Sequence, residues 1–201
     1  MKLYFVRHGE SIANTQHIIS NRDLPHPLTE RGVQQAFALA QKLQSIPVAK
    51  IFSSPILRAT QTAEILSQTW GVPYETTEAL REFCCGILEG ESSEIHRDDY
   101  ARLFLDWRAG KWNSRFEGGE SLLDVQARFV PLIAQITRDY RECDNIVLVS
   151  HGGTLLSVLP IVLRNIDHAF TFTQPLGNSA IVIAESTPDG LICRSWCDRT
   201  L

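Results

Sequence analysis

Short, nearly continuous apolar runs alternate along this chain with longer stretches in which apolar side chains recur every three or four residues. That is the pattern of strands buried on both faces between amphipathic helices. A first strand spans about residues 2–6. After a turn-rich passage, NRDLPHPLTERG, the positions Val33, Ala36, Phe37, Ala40 and Leu43 mark a helix that buries one face. The strand AKIFSS ends at Ser54-Pro55, where Ser54 can cap and Pro55 can open a helix over about 55–69, with Arg58 in its first turn. A short extended piece follows Pro73, and a helical stretch runs from about Ser92 to Trp107, with Phe104 and Trp107 spaced as packing residues, although a helix above a pocket could lend such a ring to substrate recognition. Ser121 and Asp124 form a capping box for a helix to about Tyr140, kinked at Pro131. The strand NIVLVS, a helix after His151, and two strands, NSAIVIAES and LICRSWC, joined by a turn at Pro188-Asp189-Gly190, complete the chain. The alternation predicts an α/β domain with a mainly parallel sheet. Nothing divides it, so residues 1–201 are expected to form a single domain with one core.

What breaks the pattern stands at the strand ends. LYFV runs into Arg7, His8, Gly9, Glu10 and Ser11, and IVLVS runs into His151, Gly152 and Gly153. A strand buried on both faces has no use for Arg and His at its tip unless something beyond the tip needs positive charge and donors. Ligands of open parallel sheets bind in the crevice at the carboxyl ends of the strands, so Arg7, His8, Arg58 and His151 can converge there. Helix N-termini would add backbone N–H donors. Two arginines, two histidines and such amides describe a pocket for a group with several anionic oxygens, phosphate above all. No lysine-bearing Gly-rich loop and no metal-ligand cluster accompanies them. If phosphoryl groups are transferred, side chains must supply the nucleophile, and a neutral imidazole nitrogen can attack phosphorus.

Composition narrows the partners. A formal net charge of −4 provides no global positive field for nucleic acid or an anionic membrane, so neither is expected as a partner. No segment has the length or flanks of a signal peptide or membrane span, which points to a soluble, cytoplasmic protein. Five cysteines, Cys84, Cys85, Cys143, Cys193 and Cys197, fit neither a disulfide framework nor a zinc site, and suit a reducing compartment. Cys193 and Cys197 share a strand face through the period of two. His17, His26, His96 and His168 read as loop or surface residues, and Glu10 and Glu89 as structural carboxylates.

Six segments, FVRHGES followed by Asn14, PLTERG, SSPILRATQTAEIL, LREFCCGILEG, FEGGES and VLVSHGG, resemble in that order the signatures of the histidine phosphatase superfamily, the phosphoglycerate-mutase-like group. The resemblance runs from Lys2 to about Ile183. It implies a three-layer α/β/α sandwich, with a mainly parallel central sheet and an antiparallel edge strand. It also implies His8 as the nucleophile that becomes phosphohistidine, Arg7, Arg58 and His151 as the phosphate clamp, and Glu82 as the acid that protonates the leaving alcohol. Asn14 and the Gly152 backbone match further phosphate contacts, and Ser20 and Asn21 fall in the early substrate-binding loop. Neither a metal nor a cofactor is implied.

Cys84 and Cys85 depart from the more usual aromatic-containing segment, either as small apolar filler or as an oxidisable pocket wall. The passage from Gly90 to Gly118 is short and its bases are interleaved with acids, unlike the longer basic insertion of the mutases. The expected activity is therefore metal-independent hydrolysis of a small phosphorylated metabolite. A cofactor-dependent phosphoglycerate mutase and a catalytically weak phosphate-binding module remain as alternatives. Oligomeric state is open, with a homodimer through an exposed C-terminal edge strand as one route.

Overall fold

The strand Lys2–Arg7 (β1) alternates Leu3 and Phe5 toward one side with Tyr4 and Val6 toward the other, and all four are buried. Such a strand must be covered on both faces. In the computed structural model, which describes residues 1–22 and 24–201, it lies at the centre of a seven-stranded sheet. The other strands are β2 (Val48–Ser53), β3 (Tyr74–Thr76), β4 (Asn145–Ser150), β5 (Ile181–Thr187), β6 (Gly190–Trp196) and β7 (Arg199–Thr200), in the order β3-β2-β4-β1-β5-β6-β7. The pairs β3·β2, β2·β4 and β4·β1 are parallel, and β1·β5, β5·β6 and β6·β7 are antiparallel. The antiparallel part is thus three strands, wider than the expected edge strand. Parallel β1 and β4 pair in register, Lys2 with Asn145 through Arg7 with Ser150.

Two helical layers cover the sheet, giving the three-layer α/β/α sandwich. On one face α2 (Glu30–Lys42) and α3 (Leu57–Trp70) place Leu39, Ala40, Ala59, Ala63 and Leu66 against Tyr4, Val6, Ile51, Val147 and Val149. On the other, α5 (Leu122–Asp139) and α6 (Gly152–Val162) bring Val125, Phe129, Ile133, Leu155 and Val158 against Leu3, Phe5, Ile146 and Leu148. Short helices α1 (Ile12–Thr15) and α7 (His168–Thr173) and the longer α4 (Arg97–Arg108) gather around the carboxyl ends of the parallel strands. No helix among the described residues is long and apolar enough to cross a membrane.

Local sequence explains most of the boundaries. Thr29 Oγ1 accepts from Gly32 N to cap α2, and Ser121 and Asp124 satisfy each other's amides in the expected capping box of α5, which continues through Pro131. α3 ends on Gly71 at φ 67°. Three expectations shift. Phe37 is 49% exposed and Leu39 takes its place in the core, because the buried stripe of α2 is set by Ala36, Leu39, Ala40 and Leu43. α3 begins at Leu57 instead of Pro55, because Ile56 is still extended at ψ 134°. α4 begins at Arg97 instead of Ser92, since Ser92 bridges to Ile18 and Ser93 N donates to His17 O, tying that stretch to an earlier loop.

Candidate active site

The β1–β4 register continues past the strand ends: His8 N donates to Ser150 O, so His8 and His151 emerge side by side, ring centroids 5.1 Å apart. Both are buried. His8 Nδ1 lies 2.6 Å from Gly9 O, which can only accept, so that nitrogen carries the proton and Nε2 keeps its lone pair. Arg58, in the first turn of α3, donates from Nε to that lone pair at 3.0 Å and from Nη1 to Ser20 O at 2.6 Å. Burial, then the charges of Arg58 and Arg7, hold the His8 imidazole neutral to well below its ordinary pKa, and burial and the same neighbours do so for His151. Burial also lowers Arg58, to about 10, against the opposing pull of Glu82, and leaves it cationic at neutral pH.

Two polar atoms at this spot are buried without a partner, Arg7 Nε and His151 Nδ1. Buried orphans are rare in native structures, and an anion's oxygens in the cavity that Arg7 lines would satisfy Arg7 Nε. Arg7 is anchored from its other end, Nη1 donating to Leu176 O at 2.6 Å. It lies against Gly152, where a Cβ would come within 3.2 Å of Nε, so the absent side chain lets the guanidinium reach the N-terminus of α6. His151 Nε2 meets Ser54 Oγ at 2.7 Å, a contact unmarked in the sequence because Ser54 read as a helix cap.

Glu82 is buried at the same cavity, and the start of α6 is built around it. Thr154 N, Thr154 Oγ1 and Phe83 N all donate to Oε1, at 2.6, 2.9 and 3.0 Å, while Oε2 receives one bond, from Gly153 N at 2.9 Å. Oε1 is saturated, so Oε2 is the oxygen with capacity to handle a proton. Thr154 was not singled out by sequence, although it directly follows the two glycines.

Arg7, His8, Asn14, Ser20, Asn21, Arg58, Glu82 and Gly152 all line one cavity of about 280 Å³, and His151 sits behind His8 without reaching its surface. Asn14 Oδ1 is held by Ser11 and Asn178, which leaves its Nδ2 to donate. Ser20 Oγ turns to His26 Nδ1, and its carbonyl serves Arg58. Asn21 Nδ2 donates to Phe83 O and Cys85 Sγ, pinning the early loop to the Glu82 segment. Cys85 is buried between Asn21 and the Tyr100 hydroxyl, and Cys84 Sγ accepts from Arg22 beside a different depression, so neither walls the cavity. Glu10 bonds Thr29, and Glu89 accepts from Asn21 N and Cys85 N, as structural carboxylates do. Among the described residues no group of three His, Cys, Asp or Glu side chains could hold a metal ion.

An uncharged imidazole with a directed lone pair, two guanidinium groups and a carboxyl group together can accept a phosphoryl group and manage a proton. Known proteins agree in kind. Residues 3–199 match the family described as the histidine phosphatase superfamily (branch 1). The 6-phosphofructo-2-kinase/fructose-2,6-bisphosphatase 1 of Mus musculus is 33% identical over 163 residues, 80% of this chain, which spans only about a third (32%) of that relative's length. The Escherichia coli O139:H28 protein named "Probable phosphoglycerate mutase GpmB" is 32% identical over 166 residues, 79% of this chain and 74% of its own. A mycobacterial glucosyl-3-phosphoglycerate phosphatase, solved with VO3, superposes with a TM-score of 0.84 at 27% identity, covering 98% of each chain. From strand register to family signature the observations converge: the chain belongs to the histidine phosphatase superfamily, branch 1.

Proposed function

We propose that this protein is a phosphomonoester hydrolase that works through a phosphohistidine on His8. The observation that carries this reading is the locked ring of His8, with Nδ1 bonded to Gly9 O and Nε2 unprotonated among Arg7, Arg58 and the orphaned His151 Nδ1. Nε2 attacks phosphorus as the ester P–O bond breaks, and the departing oxygen takes a proton from Glu82 Oε2. Water then attacks the phosphohistidine, Glu82 takes up its proton, and inorganic phosphate leaves with His8 restored. Arg7 and Arg58 stabilise the charge on the equatorial oxygens by position alone, with His151 the member of the clamp held behind His8, Asn14 Nδ2 and the Gly152 amide add donors, and Ser20 and Asn21 border the leaving group.

Hydrolysis is favoured over mutase chemistry because three bases of the 90–118 segment are matched by carboxylates, His96 by Asp99, Lys111 by Asp106 and Arg115 by Asp124, and among the described residues none of the segment's bases lines the cavity. None stands at the cavity to grip a bisphosphorylated cofactor. The substrate is a small phosphorylated metabolite of the cytoplasm, where the five unpaired cysteines stay reduced. The test is inorganic phosphate release from a panel of phosphomonoesters in a metal chelator, with His8→Ala beside the native protein. Steady release that vanishes in the variant is expected. Activity that survives the substitution would remove His8 as nucleophile, and turnover only with a bisphosphorylated primer would mean a mutase.

A further inference from the structure

The cavity has two unlike ends. Its floor carries the charged groups, while most of the remaining wall is carbon, Ile18, Phe83, Tyr100, Phe104 and Leu156, with uncharged Ser20 and Asn21 beside it. Phe83 packs edge to face on Tyr100, Phe104 and Trp107 at 6.1, 6.0 and 5.3 Å, and Phe104 rests in turn on Trp107 and Phe172 at 5.5 and 5.4 Å. These contacts fix the rings of α4 over the cavity before any ligand arrives. The Tyr100 hydroxyl is 2.7 Å from the buried Cys85 Sγ, so what Tyr100 offers the cavity is ring surface. Among the described residues the only cations lining the cavity are Arg7 and Arg58. Both belong to the phosphate end.

From this division we infer that the leaving group is an apolar, ring-bearing alcohol, and that the substrate carries one phosphate and no second anionic group. The inference rests on the phosphatase reading above and deepens it. A carboxylate or second phosphate placed on the leaving side would be desolvated against ring carbons with no cation to meet it, a cost that selects against such esters. A flat apolar group would instead displace water from Phe83, Tyr100 and Phe104, and pre-packed rings give it surface without new ordering.

The experiment compares benzyl phosphate, ethyl phosphate and phosphoglycerate, alkyl esters of similar leaving-group basicity, so that differences report binding more than bond breaking. With the native protein, kcat/KM for benzyl phosphate should exceed that for each of the other two by about tenfold or more, chiefly through KM. Phe104→Ala should raise KM for benzyl phosphate about tenfold while leaving ethyl phosphate within about twofold. Leu156→Lys, which places a cation on the wall, should improve phosphoglycerate at the expense of benzyl phosphate. Phosphoglycerate turned over as efficiently as benzyl phosphate by the native protein would overturn the substrate class and leave the phosphatase reading standing. Equal losses on all three esters in Phe104→Ala would overturn the wall as the selecting element. No release from any ester would remove the phosphatase reading itself.

Discussion

Arg58 Nε donates to His8 Nε2 across 3.0 Å, so the proposed nucleophilic atom is already touched by the cation proposed to stabilise the attack. That contact helps hold the imidazole uncharged, as does the burial of the ring, and the same causes act on His151. Both histidines therefore titrate well below the ordinary value of 6.5 in the native protein and at about that value when unfolded. The unfolded chain then binds more protons as pH falls, so the stability these groups contribute is complete above 6.5 and is lost progressively below it. Urea denaturation midpoints should fall between about pH 7 and about pH 5, and fall less in His8→Asn. The acid limb of kcat/KM should lie below 6.5; a limb at the ordinary histidine value would contradict the neutral, buried nucleophile.

Glu82→Gln separates the proton role from that of holding the start of α6. Glutamine keeps an oxygen for Thr154 and Phe83 N, but it sets an NH2 group opposite Gly153 N and cannot deliver a proton there. Turnover of ethyl phosphate should drop by about two to four orders of magnitude, while para-nitrophenyl phosphate, whose leaving group needs no proton, should lose about tenfold or less. Equal losses on the two esters would argue that Glu82 serves only to hold the start of α6.

Gly153→Ala tests how closely α6 must approach Glu82. A Cβ there would stand 2.5 Å from Phe83 Cε1 and 2.9 Å from Glu82 Oε1, both fixed by packing or hydrogen bonds. Overpacking of this kind costs about 1–3 kcal/mol and should shift Glu82, lowering thermal stability and kcat together. Gly177→Ala, where a Cβ would meet nothing, is the matched control. Native activity in Gly153→Ala would show that α6 yields more easily than its contacts suggest.

Thiol labelling ranks the cysteines. Cys143 is exposed and should react first with a maleimide, read by mass spectrometry. Cys85 and Cys193 are buried, and burial pushes both thiols up, Cys193 to about 11, so they should stay unlabelled until the protein unfolds. Early labelling of Cys85 with loss of activity would make it an oxidisable neighbour of the cavity after all.

The convergence of the candidate site residues was legible in the sequence because they sit where strands stop. Arg7, His8 and His151 interrupt apolar runs, and the rule that parallel sheets bind ligands at one end was enough to bring them together. Their direct adjacency was not legible, since nothing in residues 2–7 or 145–150 names β4 as the neighbour of β1. The carbon wall was hidden for a different reason. Ile18, Phe83, Tyr100, Phe104 and Leu156 lie far apart in the chain, and each taken alone is an ordinary packing residue. Ser54 read only as a helix cap and Thr154 was passed over, because hydroxyls beside a Pro or a Gly are common and only tertiary contact gives them His151 and Glu82 as partners.

The in-register ladder between β1 and β4 has a consequence for how such a protein can change over time. A slip of one residue in β4 would turn every side chain of that strand to the opposite face and carry His151 away from His8, so the spacing of the two rings admits almost no drift. Tyr100 and Phe104 ride on α4, outside the sheet, where a substitution alters what touches the alcohol without moving a rung of the ladder. The paired histidines and the aromatic wall thus stand on separate pieces of backbone, and a change to one need not disturb the other.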